Sequence, residues 1–428
     1  MDLKQTLLVS VLFCLQSSYV SGAFSNYNEN KQNISFAQLI NIGLSVNPKI
    51  QEEEAKVQSA INQIKVEESG YWPSLSASAG PRHGFHGELS YDVTLSQVLY
   101  DWGKVSGKID SAKAKKFQQI QSLLAARSEA ALEIIEVCYD IYNARQKIQA
   151  IQVFQIELDK IHELAKERIA SSFSDTSESN KILKYQAYIN EQSAIARGEL
   201  RAAEGLYRLL LGHSVNSLPD FSTSLNLLAQ LQDKEVLEEA VLHSPDYMKA
   251  EQDILIAQAK IKVTEGALKP DLVFEASVVN REINGSLTKD ESIGINVEMN
   301  FNQGLSAYYQ AQSSKDQVEA AKWGLQLVRR DLYREYNSNN ENKIALKQRL
   351  DALLAQRSES EEMADIYSYQ FSAGLRTIED LLTTKNDIFQ ISMQLISASS
   401  EYHQLPYRMA SKLGILNKLL LTNDEVAY

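Results

Sequence analysis

Arg376 stands directly before Thr377, and Asp380 follows three positions after that threonine. This is capping-box spacing: the hydroxyl accepts from a backbone amide in the first helical turn, and the carboxylate complements the positive end of the helix. An arginine at the same end is unfavourable, because it meets a positive partial charge. Capping thus accounts for Thr377 and Asp380 but gives Arg376 no comparable structural role. His83 and His86 have a spacing that could hold a metal, but no third or fourth ligand lies nearby, so the pair reads as an exposed loop. No Gly-rich phosphate loop, His-Glu-x-x-His pair or nucleophile motif occurs. The residues indicate neither an enzyme nor a cofactor. The 43 basic and 55 acidic side chains give a net charge of −12. Nucleic acid is thereby disfavoured as a partner, since a phosphate backbone requires a basic surface.

The elements that must position these residues are long. In 428 residues there are only seven prolines and eighteen glycines, which predicts extended, uninterrupted helices. Residues 1–23 read as a signal peptide, with Lys4, an apolar run from Leu7 to Leu15, and Ser21-Gly22-Ala23 before the cut. That run is shorter than the ~20 residues a membrane anchor needs. Cys14 follows the bulky Phe13, which suits lipid attachment badly. Without the leader, Cys138 is the single thiol; it reads as a small hydrophobe inside a helix, and no intrachain disulfide can form.

The chain is written twice. At one constant offset Pro48 falls on Pro245, Glu54 on Glu251, Ala60 on Ala257, Ile64-Lys65-Val66 on Ile261-Lys262-Val263, Pro73 on Pro270 and Leu75 on Leu272. At a slightly larger offset Gly103 falls on Gly304, Thr176 on Thr377 and Glu178 on Glu379. The same landmarks recur in the same order, which indicates tandem duplication. The first repeat covers 24–215 and the second 233–415, with a linker at 216–232 and a tail at 416–428. Each repeat reads helix, strand, strand, very long helix, tight turn, helix, a mainly α fold with a small β part.

Strands are expected at 74–81, 88–99, 271–280 and 291–301. Leu89, Tyr91, Val93 and Leu95 alternate with polar residues; Leu272 and Phe274 open a second alternation, and Ile293, Ile295 and Val297 a third. A strand with one apolar and one polar face fits a soluble core or a membrane barrel. Four strands cannot close a barrel, which usually takes about eight, so lipid-facing strands would require several chains. Helical hairpins are expected at 103–211 and 303–413. The first long helix would run about 100 Å at ~1.5 Å per residue. Its seam comprises Ile134, Val137, Ile141, Ala144, Ile148, Ile151, Leu158, Ala165 and Ile169, interrupted at Gln155 and His162. Tyr333, Tyr336, Tyr367 and Tyr369 are expected to pack such seams, and Tyr91 and Tyr100 to anchor a membrane interface. The turns fall at Ser172–Asp175 and Ser372–Leu375.

This order resembles the TolC family of outer-membrane export channels. The resembling segments are Asn47-Pro48, Tyr71-Trp72-Pro73-Ser74-Leu75, and Gln97-Val98-Leu99-Tyr100-Asp101-Trp102-Gly103. Met299-Asn300-Phe301-Asn302-Gln303-Gly304 and Gly374-Leu375-Arg376-Thr377-Ile378-Glu379-Asp380 complete the set. Together they extend the resemblance from about residue 35 to 415. It implies a homotrimer with a twelve-stranded barrel in outer-membrane lipid and a twelve-helix tunnel in the periplasm. It also implies a periplasmic adaptor (membrane fusion) protein and an inner-membrane ABC or RND-type pump as partners.

The resemblance further implies a gate at the hairpin tips. Arg376 matches the family's gating arginine and Asp380 one aspartate of an acidic ring, whose second aspartate falls on Thr383. Glu178 falls on a usual threonine and Ser179 on a usual aspartate, so an Arg376–Glu178 charge pair is expected in place of the family's link. The Ser-Asp-Thr-Ser-Glu-Ser run from Ser174 to Ser179 is similar to secretion-type members, which points to type I protein secretion. Small-molecule efflux is the alternative within the family. A soluble exported coiled-coil scaffold without a pore is the alternative outside it.

Overall fold

A computed structural model describes residues 36–81, 89–170, 176–215, 217–219, 221, 231–283, 286–299 and 306–416. The leader, His83, His86, the first turn at Ser172–Asp175 and residues 417–428 of the tail lie outside the described residues.

The first half comprises α1 (Phe36–Val46), α2 (Pro48–Glu68), β1 (Ser74–Pro81), β2 (Leu89–Tyr100), α3 (Lys104–Ala170) and α4 (Thr176–Leu211). The second comprises α5 (Lys234–Leu242), α6 (Pro245–Gly266), β3 (Asp271–Ile283), β4 (Ser286–Glu298), α7 (Ser306–Ser372) and α8 (Ile378–Lys412). The duplication persists in element length: α3 and α7 both have 67 residues. Local chemistry sets the starts. Asn47 and Ser244 cap α2 and α6 through their side chains, each with proline at the next position, where its missing N–H costs nothing. β4 begins earlier than the alternation from 291 suggests and ends at Glu298.

α3 is the central beam. Its N-terminal half packs between α2 and α6, its C-terminal half between α4 and α8, while α7 lies along α6 and then α8. Ion pairs mark the succession: Lys262–Asp110 and Arg127–Glu54 on the first half, Arg408–Glu136, Lys147–Glu199 and Lys385–Glu157 on the second. These pairs are partly exposed and hold register more than they stabilise. Stability comes from the apolar clusters. The middle of the molecule gathers Leu39 and Ile40 of α1, Ile134 to Ile141 of α3, Tyr207 of α4, Val241 of α5, Tyr336 of α7 and Met409 of α8. Cys138 is buried in this cluster, which pushes its thiol up to about 12. A second cluster fills the far end of the hairpins.

In that second cluster the seam of α3 does not break. Phe154 and Ile161 are buried between Ile151, Leu158 and Ala165, restoring three–four spacing beside the exposed Gln155 and the half-buried His162. Ile148 is partly buried against the same cluster. Tyr336 is buried and donates its hydroxyl to the Leu231 carbonyl at 2.9 Å. Tyr369 departs from the seam expectation: it is 77% exposed on the flank of α7 away from its partners in this chain.

Gly107 explains how closely α3 meets α6. A Cβ there would lie 2.9 Å from the Ala259 carbonyl oxygen and 2.9 Å from a Val263 methyl. Gly107→Ala is therefore expected to cost about 1–3 kcal/mol through overpacking, seen as a lower thermal midpoint in detergent. At Gly198 an added Cβ meets nothing within 4 Å. Gly198→Ala should leave that midpoint unchanged or raise it, since glycine disfavours a helix interior.

Candidate functional site: the sheet, its junction and the hairpin tips

The four strands form one antiparallel sheet in the order β1-β2-β3-β4. Residues paired across neighbouring strands point to the same face, so the register sorts every side chain. One rung reads Leu75, Leu95, Ala276, Ile293; others read Gln97, Phe274, Ile295 and Tyr100, Leu272, Val297. Toward the hairpin loops the same face carries Val93 beside Val278 and Tyr91 beside Asn280. Eight of the nine apolar residues singled out in the strands share this face; for the ninth, Leu89, only the backbone pairing with Pro81 is described. From Leu272 to Val278 the band is about 20 Å tall at ~3.3 Å per residue, near the apolar height of an outer-membrane barrel. It ends at Glu291 and Lys289, which pair with each other at 2.5 Å.

The opposite face is polar. Its rungs read Ser74, Ser96, Glu275, Gly294; then Ser76, Thr94, Ser277, Ser292; then Ser78, Asp92, Val279, Asp290. Asn296 donates to Glu275 at 2.7 Å, and the Ser277 and Ser292 hydroxyls lie 2.8 Å apart. Asp271 and Glu298 share the face at its helix end. Among the described strand side chains no lysine or arginine faces this side. Both β1 and β4 are edge strands in this chain.

The strand-to-helix junction rests on Asp101, Trp102 and Gly103, of which the sequence marks Gly103 as a repeat landmark and the other two only as part of a resembling motif. Trp102 and Gly103 have φ of 57° and 87°, a reversal strained at tryptophan. Asp101, only 7% exposed, compensates by accepting from the Gly103 amide at 3.0 Å and from the Val105 amide, so that it caps α3. The Trp102 indole N–H donates to the Pro270 carbonyl at 2.7 Å, and Lys269 lies over its ring. Lys104 pairs with Asp271 at 2.5 Å. The exits of both repeats are thus fastened to one another.

At the tips, Thr377 caps α8 and its hydroxyl donates to the Asp380 carboxylate at 2.8 Å. That hydroxyl, with smaller help from Arg376 and despite desolvation, holds Asp380 below the ordinary carboxylate range. Arg376 stays within its own hairpin: it donates to Gln370 at 3.0 Å, lies over the Tyr367 ring at 4.2 Å and is 3.8 Å from Asp380. Glu178 does not meet it. Within this chain Glu178, in the first turn of α4, lies 3.9 Å from Arg168 at the end of α3 in the same hairpin. Thr383 is exposed on α8. The links between hairpins are others: Arg168 to the Phe371 carbonyl at 2.9 Å, Lys181 to Glu379, and Gln390 to the Tyr188 hydroxyl at 2.5 Å. Apart from Glu379, those residues carry no motif, and their partners are distant in sequence.

Among the described residues no cluster of His, Cys, Asp and Glu could hold a metal, and no helix is long and apolar enough to cross a membrane. A family model for outer membrane efflux proteins matches residues 39–171 and 236–414. No curated protein matches the chain by sequence. Among solved structures, the outer membrane protein VceC from Vibrio cholerae aligns with a TM-score of 0.76 at 14% identity, covering 89% of this chain and 96% of that one. The CmeC outer membrane channel of Campylobacter jejuni aligns at 0.73 and 14% identity, covering 92% and 91%. The open state of the MtrE outer membrane channel of Neisseria gonorrhoeae aligns at 0.71 and 18% identity, covering 89% of each chain.

Asp101→Ala removes the side-chain acceptor of two backbone amides at a strained turn. It is expected to cost about 1–2 kcal/mol, the usual loss at a helix N-cap, read as a lower thermal midpoint, with Asp101→Asn closer to the parent.

Proposed function

The chain belongs to the outer membrane efflux protein family, and on that premise we propose that three copies close their sheets edge to edge into one barrel, the exit duct of a tripartite exporter. The protein is an outer-membrane channel with its helical tunnel in the periplasm, not an enzyme. The observation that carries the trimer is the four-stranded sheet with an apolar face, a polar face and two open edges. Such a sheet is stable in lipid only when closed, because an unpaired backbone group in hydrocarbon costs several kcal/mol. Exposed apolar residues along α7, such as Trp323, and on α4, such as Leu209, supply flanks for neighbouring copies. A periplasmic adaptor docking on the hairpin tips and an inner-membrane pump of ABC or RND type complete the assembly.

The gate in this reading lies at the tips. We assign Arg376, whose side chain is partly exposed, to a contact with an adjacent copy, and Asp380 to an acidic ring beside its capping-box role at the start of α8. Thr383 adds no charge to that ring, and Glu178 contributes through Arg168. The cargo we infer is polypeptide, by type I secretion, supported by the hydroxyl-rich run at Ser174–Ser179. Small-molecule efflux is the second reading, favoured by the efflux description of the family.

Membrane fractionation and gel electrophoresis test the assembly: heat-sensitive trimers in the outer membrane are expected, and a monomeric periplasmic protein would overturn the channel. Loss of a secreted polypeptide in a deletion strain supports the first cargo, whereas dye retention without that loss supports the second. In planar bilayers Arg376→Ala is expected to raise single-channel conductance; an unchanged value would remove it from the gate. The acidic barrel face also predicts cation selectivity, measured as a reversal potential in a salt gradient. Replacing Asp92 and Asp290 together by asparagine should shift that potential toward zero.

A further inference from the structure

Near the sheet, at the opposite end of the helices from the tips, Lys108 and Lys115 of α3 and Lys260 of α6 line one groove of about 620 Å³. Ala112 and Ala257 lie beneath them, and these small side chains leave the groove open. All three lysines are exposed, and none has an acidic partner within ion-pair distance among the described residues, whereas Lys104 and Lys262 beside them are paired with Asp271 and Asp110. The direction of the groove follows from helix geometry. At ~100° per residue, Lys104, Lys108 and Lys115 fall within about 40° of one another around α3. Lys104 reaches Asp271, which belongs to the polar face of the sheet. The lysine stripe therefore continues that polar face down the helices. Lys260 comes from the neighbouring helix: Ala259 and Val263 meet α3 at Gly107, so Lys260 and Lys108 stand at one level. Lys115 lies about 10 Å further along α3 at ~1.5 Å per residue.

Two carboxylates also line the groove, and both are engaged. Glu67 of α2 accepts from the Gln63 amide at 2.8 Å, and Asp253 of α6 accepts from the Gln118 amide at 2.6 Å. Positive charge is thus in excess here, in a chain of net charge −12 and directly below a strand face whose described side chains include no lysine or arginine. Two ammonium groups at one level repel each other, and an anion between them relieves that repulsion. We propose that the groove is a transit site for carboxylate groups of the cargo, held briefly by Lys108, Lys260 and Lys115 on their way into the barrel. The proposal rests on the channel reading above, in which the polar face is the wall of the duct. Lysine suits brief holding: its ammonium is a strongly hydrated point charge with three rotatable donors on a flexible stem. A duct needs contacts weak enough to let its cargo leave. The carboxylates can belong to a polypeptide or to a small organic acid, and the test separates the two.

Full-length trimers in planar bilayers provide the test, with citrate or a glutamate oligopeptide added on the helical side. Citrate is expected to reduce conductance reversibly, at a half-blocking concentration that rises with salt because the charges are screened. Lys108→Gln combined with Lys260→Gln should raise that concentration about tenfold, the factor expected for losing charge-assisted hydrogen bonds. Lys115→Gln should raise it less. Lys113→Gln, on the far side of α3 from the stripe, should leave it at the parent value. Block by the oligopeptide that is equally sensitive to these lysines supports the site and assigns the carboxylates to a polypeptide; block by citrate alone supports it and assigns them to a small organic acid. Block that is unchanged in the double variant, or no block by either probe, overturns the site. If the double variant does not assemble, Lys260→Gln alone decides: a raised half-blocking concentration supports the site, and a parent value overturns it. A parent protein that forms no pore refutes the channel reading itself, a result separate from these.

Discussion

Open backbone at the edges of a four-stranded sheet is the constraint on which the rest depends. In water such edges can be solvated, but in hydrocarbon each unpaired N–H or C=O is a large penalty. The rungs here make water on both sides unsuitable as well, since one face is a band of leucine, isoleucine, valine and aromatic residues. In the barrel proposed above, the apolar face would meet lipid and the serine and acidic face would line the lumen. It follows that the sheet must be shared between copies, and that each copy must bring a rigid means of holding its four strands at the correct tilt.

That means is the pair of 67-residue helices. A helix of this length cannot fold back on a core, so its stability has to come from neighbours all along its flank. α3 obtains them within the chain on two sides, through α2 and α4 on one and α6 and α8 on the other. The junction at Asp101–Gly103 transfers that rigidity to the strands. The indole bond to Pro270 and the Lys104–Asp271 pair fasten the first repeat's turn to the second repeat's strand entry, so neither hairpin can tilt alone. A left-handed tryptophan is costly, and three contacts acting on two residues hold it there.

Much of this was legible before any coordinates. The duplication, the cap-plus-proline helix starts at Asn47 and Ser244, and the apolar face of the strands follow from identity, spacing and period two. Other features were hidden for physical reasons. α1 and α5 are short and lie in the central cluster, so their apolar residues show no long helical rhythm. The seam of α3 seemed to break at Gln155 and His162 because the helix buries the preceding residue each time, Phe154 and Ile161. At the tips the resemblance transferred residues by position, and Arg376 and Glu178 fell on plausible partners. Within the chain Glu178 faces Arg168 at the end of α3, while Arg376 turns to Gln370 and Tyr367 of its own hairpin. Arg168 carries no local signal, since its partner Phe371 lies in the other repeat.

The two copies of the repeat have diverged in the way their surroundings require. α3 buries residues along its whole length, from Val105 to Ala165, because helices of this chain flank it on both sides. α7 buries far fewer, keeps the polar stretch at Asn337–Asn342, and leaves Tyr308, Trp323 and Tyr369 largely exposed. A duplicated unit under uniform selection would keep both helices alike. The difference is explained if α3 meets only its own chain while α7 sits at a boundary where the next surface is a weaker and separable contact.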